Sequence, residues 1–377
     1  MKFLLFPLLL IIGFSSFAQN DSTSFGLKLT GDFRFRIEHD WNSQNSNGVL
    51  RNDRSRLRYR FRFGLNYVLD KNSSFSGRLR SGNINDQQGP HITLGGNQGE
   101  FGLTKIGLEK LFYQFQNKNL KAWVGKNTIP LRKLNELFWN DNVFPEGIGL
   151  NYKLNFKKKS IQSLGFNAGH FIINSNNQTF NKDSYLQFLQ VESNLLNNRI
   201  TLFPAIYYFN KIGNVPDGKH THHLDYTILH LGGLFNITKD SKFKIGLEYY
   251  LNLEDYVKND SIHIDLRDQK RGFVISVKYG HVKEQGNWLI HLYYANLEKF
   301  SIVDYFAQND WARWDYSSIN AAGSRISNFQ GVEFRVGYAV KKNFTLILRS
   351  YLVEELINIG DFKENGSRVR LDLNIGF

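Results

Sequence analysis

The chain contains segments in which polar and apolar side chains alternate residue by residue. From Arg54 to Leu69 it reads RSRLRYRFRFGLNYVL, so that five arginines alternate with leucine, tyrosine and phenylalanine. Successive side chains of a β-strand point to opposite faces, so this segment has one arginine face and one apolar face. A soluble sheet would carry mixed charges there instead of five arginines in register. The pattern favours a barrel strand with lipid outside and water inside.

The same alternation recurs along the chain, in residues 25–39, 148–157, 242–252 and 367–377. We count about sixteen such segments of 9 to 16 residues, the length that a tilted strand needs to cross a bilayer. In residues 184–209 both faces are apolar, which leaves the count open by two. The prediction is an all-β, antiparallel transmembrane barrel.

The connections between these segments alternate in length. Short turns lie at residues 70–73, 117–119, 157–160, 197–198, 238–241 and 341–343, and long loops at 82–104, 126–146, 210–223, 253–269 and 299–328. Outer-membrane barrels have short periplasmic turns and long extracellular loops. We therefore predict a single barrel domain over residues 19–377.

The N-terminal residues predict export. Lys2 precedes an apolar run from Phe3 to Phe14, and Ser16-Phe17-Ala18 has the small residues of a signal-peptidase site. We expect residues 1–18 to be a signal peptide that is removed, and the mature chain to reside in the bacterial outer membrane.

Composition leaves one alternative open, a secreted soluble all-β protein, because 41% of the residues are hydrophobic. The chain has only 6 prolines and 0 cysteines, so neither disulfides nor rigid loops would brace such a fold. An aromatic content of 15% suits the girdles of a membrane barrel. Mean hydropathy is −0.38, and after the signal no apolar run approaches the roughly 20 residues of a membrane helix.

The last segment, SRVRLDLNIGF, alternates and ends in Phe377. A terminal strand that ends in phenylalanine resembles the assembly signal of bacterial outer-membrane barrels. An even number of strands lets this strand close against the first.

Two stretches resemble the putative porin family of Gram-negative bacteria. RNDRSRLRYRFRFGLNYVLDKNSSFSGRLRSGN (51–83) is similar to that family's early arginine-rich hairpin, and VGKNTIPLRKLNELFWNDNVFPEGIGLNY (124–152) to its Gly-Lys/Arg, Pro, Glu-Leu, Trp, Asp, Pro-Glu-Gly sequence. The resemblance implies a porin and leaves the solute open. Barrels of the alginate-export type are a similar alternative, which would carry acidic oligosaccharides.

The arginines of neighbouring strands would form one basic wall in the lumen. This set comprises Arg34, Arg36, Arg54, Arg56, Arg58, Arg60, Arg62, Arg78, Arg80, Arg368 and Arg370. Like charges on one strand face lie about 7 Å apart and repel one another unless anions are near. We therefore predict that these arginines line the pore and attract anions. The alternative is that the arginines pair with Asp32, Glu38 and loop carboxylates and select nothing.

The loop at residues 126–146 is the third long connection, and in sixteen-stranded porins the loop in that position folds inward and narrows the pore. LRKLNELFW is predicted to form a short helix with its leucines and Phe138 against the wall. Its polar residues, the candidate constriction, are Arg132, Lys133, Glu136, Asp141 and Glu146. A plain surface loop is the alternative.

Other candidates are weaker. His220, His222 and His223 could bind a transition metal, but no fixed spacing supports a site, so we predict exposed histidines and no metal or cofactor. Asp304, Asp310, Trp311, Trp314 and Asp315 could bind sugar or calcium, or simply lie at a strand end.

Enzyme motifs are absent: the chain has no G-x-S-x-G, H-E-x-x-H or Walker sequence, so a barrel hydrolase is disfavoured. A structural or adhesin barrel would predict a closed lumen. We expect membrane lipid, small anionic solutes and the barrel-assembly machinery as partners, no nucleic acid, and a homotrimer as an assembly to test.

Overall fold

The computed structural model describes residues 26–96, 99–175, 177, 179–212, 223–238, 240–311 and 327–377. In these residues sixteen antiparallel strands close into one barrel, which confirms the predicted fold class. The strands are β1 (Leu27–Gln44), β2 (Arg54–Val68), β3 (Ser73–Ser81), β4 (Ile106–Gln116), β5 (Leu120–Lys126), β6 (Glu146–Asn155), β7 (Ile161–Asn174), β8 (Ser184–Leu195), β9 (Ile200–Leu202 and Ala205–Ile212), β10 (Leu224–Asn236), β11 (Phe243–Asn252), β12 (Arg271–Gly280), β13 (Trp288–Leu297), β14 (Phe329–Lys341), β15 (Phe344–Glu355) and β16 (Asn365–Gly376). The predicted signal peptide lies outside the described residues.

The connections contain little regular structure. Two-residue strands lie at Leu50–Arg51 and Ile92–Thr93, and 3₁₀ turns at Phe180–Lys182, Ile264–Leu266 and Asp304–Phe306. Within the described part of the chain, no helix is long and apolar enough to cross a membrane. Short and long connections alternate around the barrel, so all the long loops emerge at one end.

The outer surface of the barrel is apolar, because the alternating apolar positions point away from the lumen. Leu29, Leu57 and Leu247 are between 43% and 57% exposed, although each lies within a strand. Tyr67 and Trp288 are also exposed on strands beside short turns. Aromatic side chains at the ends of strands form the interfacial girdle of membrane barrels.

Residues 184–209 have two apolar faces because loops inside the lumen cover the inner face, while the outer face belongs to the apolar outer surface of the barrel. On β8 and β9 the side chains of Leu186, Phe188, Tyr207 and Phe209 point inward and are buried against loops that fill the lumen. Their neighbours on the same strands point outward, as Leu189 and Ile206 show with 49% and 45% exposure. Phe203 and Pro204 interrupt β9, which therefore consists of two short pieces.

The barrel closes where β1 pairs with β16. Phe33 lies opposite Ile375 and Asp40 opposite Arg368. The backbone groups of Gly31 and Phe377 exchange two hydrogen bonds, at 2.9 and 3.0 Å. The ring of Phe377 occupies the space in which a side chain on residue 31 would lie.

The substitution Gly31→Val is therefore expected to displace the Phe377 ring and weaken the closing strand pair. Overpacking of a closed core costs about 1–3 kcal/mol, and because Phe377 is 63% exposed and its ring can turn away, we expect a cost at or below the lower value. The temperature at which the folded band disappears on a denaturing gel should fall, whereas Gly26→Val should leave it unchanged, because nothing lies within 4 Å of a side chain built there. Equal temperatures for the two variants would contradict this account of closure.

Candidate functional site in the barrel lumen

One side of the lumen carries the arginines of four consecutive strands, β16, β1, β2 and β3. We call this set the arginine wall: Arg34, Arg36, Arg54, Arg56, Arg58, Arg60, Arg62, Arg78, Arg80, Arg368 and Arg370. Within it, Arg34 lies directly opposite Arg60 and Arg36 opposite Arg58. Like charges that face each other across two strands are destabilising, so the wall requires negative groups nearby.

Carboxylates on the strands supply part of that negative charge. Asp40 accepts hydrogen bonds from Arg54 at 2.7 Å and from Arg368 at 2.5 Å. Further pairs join Glu38 to Arg36, Arg56 and Arg58, Glu109 to Arg62, Arg78 and Arg80, Asp32 to Arg60, and Asp372 to Arg36 and Arg370. The wall is thus partly neutralised, as one sequence-based alternative supposed.

A further carboxylate comes from the loop between β13 and β14. Asp310 contacts Arg370 and lies 3.8 Å from both Arg36 and Arg368. Burial alone would raise the pKa of Asp310, but the charges of Arg370, Arg36 and Arg368 outweigh it and hold that pKa well below its usual range. Asp310 therefore stays ionised and ties this loop to the wall.

Some arginines have no full complement of partners in the described part of the chain. Arg34 donates to the amide oxygen of Asn374 and forms no ion pair there. Arg349 on β15 lies 3.7 Å from Glu333, yet its Nε and Nη1 atoms are buried without a hydrogen-bond acceptor. Positive charge on this side of the lumen therefore exceeds negative charge.

Residues 127–145, which we call the inward loop, fold into the barrel and bind its opposite side. Gln190 on β8 accepts a hydrogen bond from the Arg132 backbone nitrogen at 2.6 Å and donates one to the Arg132 carbonyl at 2.9 Å. Glu248 on β11 accepts from the Leu134 nitrogen and the Asn135 side chain. These side chains replace the hydrogen bonds of a helix, so the short helix predicted for LRKLNELFW does not form.

The apolar residues of the inward loop lie against an aromatic surface of β9, β10 and β11. The ring of Phe138 lies 4.5 Å from that of Tyr207 and stacks on Tyr250 at 5.4 Å. Leu137, Phe138 and Trp139 are only 1–3% exposed. Burial on this scale anchors the loop, since removing such an aromatic side chain costs about 3–5 kcal/mol.

Three connections meet inside the barrel. Asn140 of the inward loop donates a side-chain hydrogen bond to Gln88 at 2.7 Å and a backbone hydrogen bond to Phe306 at 2.8 Å. Gln88 in turn donates to the Ala307 carbonyl at 2.8 Å. The loops that contain residues 88, 140 and 307 therefore hold one another in place.

Two of the cavities between these loops and the strands share part of their lining. The wall cavity, of about 280 Å³, is lined by nine arginines, Arg34, Arg36, Arg56, Arg58, Arg60, Arg62, Arg349, Arg368 and Arg370. The second cavity, of about 310 Å³, contains Arg335 and Glu333 in its lining. Both cavities share Glu136, Asp141 and Gln308, so these loop residues stand between them.

Comparisons with known proteins agree with this geometry. Residues 48–251 match the family described as putative porin, which is more than half of the chain. The chain belongs to that family. Comparison with curated proteins found no match.

Solved porins have the same fold. A triple mutant of Rhodopseudomonas blastica porin is similar with a TM-score of 0.53, at 10% identity over 93% of this chain and 100% of that chain. Pseudomonas putida OprB, in its high-pH structure, has a TM-score of 0.54, at 11% identity over 93% of this chain and 94% of that chain. Identities this low show a shared barrel and nothing about solutes.

The residues predicted for the constriction separate into two groups. Glu136 and Asp141 line both cavities, and Lys133 binds Asp141 and lines the second cavity. Glu146 instead pairs with Lys126 at 2.6 Å, and its side chain is 65% exposed at the start of β6. Glu146 therefore lies away from the space between the two cavities.

Among the described residues, the remaining candidate side chains do not form a metal site. His223 is exposed, and His220, His222, Trp314 and Asp315 lie outside the described residues. Asp304 pairs with Lys299 at 3.2 Å, and Trp311 packs on Phe329 and Tyr351. Across the described ranges, no three His, Cys, Asp or Glu side chains are grouped as metal ligands.

Sequence reasoning did not find three polar residues of this site. Glu109 binds three arginines from beside an irregularity in the β3–β4 pairing, where the alternation breaks. Glu248 stands on an alternating segment, and this periodicity could have placed it in the lumen. His91 lies over the wall with a buried Nε2 that lacks a partner; burial lowers its pKa well below the ordinary value, and Arg36 and other wall arginines lower it further.

Proposed function

We propose that this barrel is an outer-membrane diffusion channel for small hydrophilic solutes and that it favours anions. Membership of the putative porin family supports a channel. A closed barrel with short turns at one end and long loops at the other supports passage from the cell surface to the periplasm.

The observation that carries the selectivity is the charge of the wall cavity. Nine arginines line it against four carboxylates, those of Asp86, Glu136, Asp141 and Asp310, whereas the strand carboxylates that pair with these arginines do not line it. His91 lines the same cavity and is neutral at physiological pH, so it adds no charge. Because these groups lie within one Debye length, about 8 Å at physiological ionic strength, their fields add in the narrow lumen.

An excess of guanidinium groups acts on solutes in two ways. It raises the local concentration of anions and lowers that of cations, as charged clefts do. Guanidinium donors also match the geometry of carboxylate and phosphate oxygens. Solutes bearing such groups should therefore enter more readily than neutral solutes of the same size.

A salt gradient across a planar bilayer tests the proposal. The wild-type channel is expected to show a reversal potential of the sign that anion selectivity produces. Changing Arg56, Arg58 and Arg60 to Gln removes three wall charges and keeps polar side chains, so the reversal potential should move toward zero. Arg34→Gln should shift it in the same direction by less, since it removes one positive charge instead of three.

The matched control changes Arg199, Arg271 and Lys158 to Gln. All three are exposed and lie outside the wall cavity. This control should keep the wild-type reversal potential. A wild-type channel without anion preference, or identical potentials for the wall and control variants, would contradict the proposed selectivity; absence of any conductance would contradict the channel itself.

A further inference from the structure

A single row of directly paired positions crosses eight strands from β11 to β2. Each member points into the lumen and lies opposite the next across a strand pair. The row contains Lys244, Lys278, His291, Arg335, Arg349, Arg370, Glu38 and Arg56, in that order around the barrel. Six of these eight side chains carry a permanent positive charge.

The row connects the two ends of the barrel. Lys244 is the second residue of β11, directly after a short turn, and Arg56 is the third residue of β2, directly after a long connection. Neighbouring strands lie about 4.8 Å apart, so seven steps span roughly 34 Å. Since strands of a barrel are tilted, a row perpendicular to them runs diagonally from one mouth to the other.

At the end of the row beside the short turns, Arg335 pairs with Glu333 at 2.7 Å, but the two lysines have no counter-charge of their own among the described residues. The charged groups with the largest effect on Lys278 are Lys244, which lies directly opposite it, Arg335, Lys283 and Arg132, all positive. Arg132 belongs to the inward loop, so the loop adds a cation here. Among the described residues, neither Lys244 nor Lys278 forms an ion pair, in contrast to most arginines of the wall. We call Lys244, Lys278, Arg132 and Arg335 the lower cluster.

The middle of the row contains buried polar atoms without partners. The Nε2 atom of His291 and the Nε and Nη1 atoms of Arg349 are buried and make no hydrogen bond. Both residues are 7% exposed. A buried donor without an acceptor is costly, so these atoms indicate that an acceptor can enter between the wall cavity and the lower cluster.

We propose that the lower cluster is a second anion site, which binds a small oxyanion with two negative charges, and that anions pass along the row between it and the wall cavity. This proposal rests on the proposed function, because it concerns solutes of the same channel. Two lysines, two arginines and the adjacent His291 can surround such an ion with donors from several sides. Because Glu333 already pairs with Arg335, three positive charges remain, and a single negative charge would leave two of them unbalanced.

Block of chloride current by inorganic phosphate tests the second site. Phosphate added on the side of the short turns is expected to reduce single-channel chloride current at concentrations where nitrate, a monovalent oxyanion, has no effect. Changing Lys244 and Lys278 to Gln should raise the half-blocking phosphate concentration about tenfold or more, since each lysine contributes a charge-assisted hydrogen bond to the ion. Lys278→Arg, which keeps the charge, should retain the block.

The control is Lys242→Gln, which removes a lysine of the adjacent turn that already pairs with Asp240 and is 55% exposed. Phosphate should block this variant at the same half-blocking concentration as the wild type. Equal half-blocking concentrations in the wild type and in the Lys244 and Lys278 double variant would overturn the second site, as would equal block by nitrate. In that case the reversal potential set by the wall would persist, so this failure is distinct from failure of the proposed function.

Discussion

Deletion of residues 131–142 is expected to raise the single-channel conductance roughly twofold or more, because it removes the segment that separates the two cavities and widens the conducting cross-section. The segment contains Glu136 and Asp141, which line both cavities. It also contains Leu137, Phe138 and Trp139, whose burial against the strands holds it in the lumen. Conductance is measured in planar bilayers at equal salt on both sides.

The same deletion should lower stability, because the aromatic surface around Tyr207 and Tyr250 would then face water. Loss of the Phe138 ring alone costs about 3–5 kcal/mol. A matched control removes residues 99–102, which are exposed in another long connection. The control should keep both conductance and stability; if the two deletions gave the same conductance as the wild type, the inward loop would not limit the current.

Asp310→Asn is expected to release the loop between β13 and β14 from the arginine wall and to increase anion preference. The variant removes the negative charge that contacts Arg36, Arg368 and Arg370, which are between 2% and 5% exposed. Loss of one partner from a buried ionic cluster costs about 3–5 kcal/mol, and the remaining pairs of Arg36 and Arg368 should keep the loss near the lower value.

The release can be followed by thiol labelling, since the chain has 0 cysteines. Ala307→Cys places a unique thiol at a position that is fully buried. A polar maleimide should label it slowly in the otherwise wild-type chain and much faster together with Asp310→Asn. Asp260→Asn, in a side chain 97% exposed, serves as the charge control and should not change the rate. Equal labelling rates for all three chains would show that Asp310 does not hold the loop.

The low pKa of Asp310 also fixes the pH range of this contact. A carboxyl whose pKa is depressed in the folded state stabilises the structure above its unfolded pKa of about 4, and that stabilisation is lost only as pH falls through the folded value. The loop should therefore stay bound between pH 8 and pH 5. The labelling rate at position 307, divided by that of an exposed cysteine so that the pH dependence of the thiolate cancels, should not change over that range.

The barrel could be predicted from the sequence because one face of each strand meets lipid. Alternation such as that of Arg54 to Leu69 is imposed locally, residue by residue, and so it can be read without knowledge of the rest of the chain. The same periodicity placed Arg34, Arg36, Arg368 and Arg370 on inward positions.

The filling of the lumen could not be predicted in the same way. Asp310 meets Arg36 and Arg370 only after strands from both ends of the chain have become neighbours, and no local pattern marks that contact. Glu109 escaped notice because of the irregular β3–β4 pairing. The helix predicted for the inward loop was wrong because Gln190 and Glu248, more than 50 residues away, bind its backbone instead.

The contacts among Gln88, Asn140 and Ala307 indicate the order in which parts of the barrel assemble. Gln88 and Asn140 are 52 positions apart, but Gln88 and Ala307 are 219 positions apart, so the contact with Ala307 can form only after most of the chain has been inserted. Closing such long segments is slow compared with the pairing of adjacent hairpins. We therefore expect the newly inserted barrel to close in the bilayer before its loops fill the lumen. The lumen should thus become narrow last, so that each insertion includes a short period in which large molecules could pass.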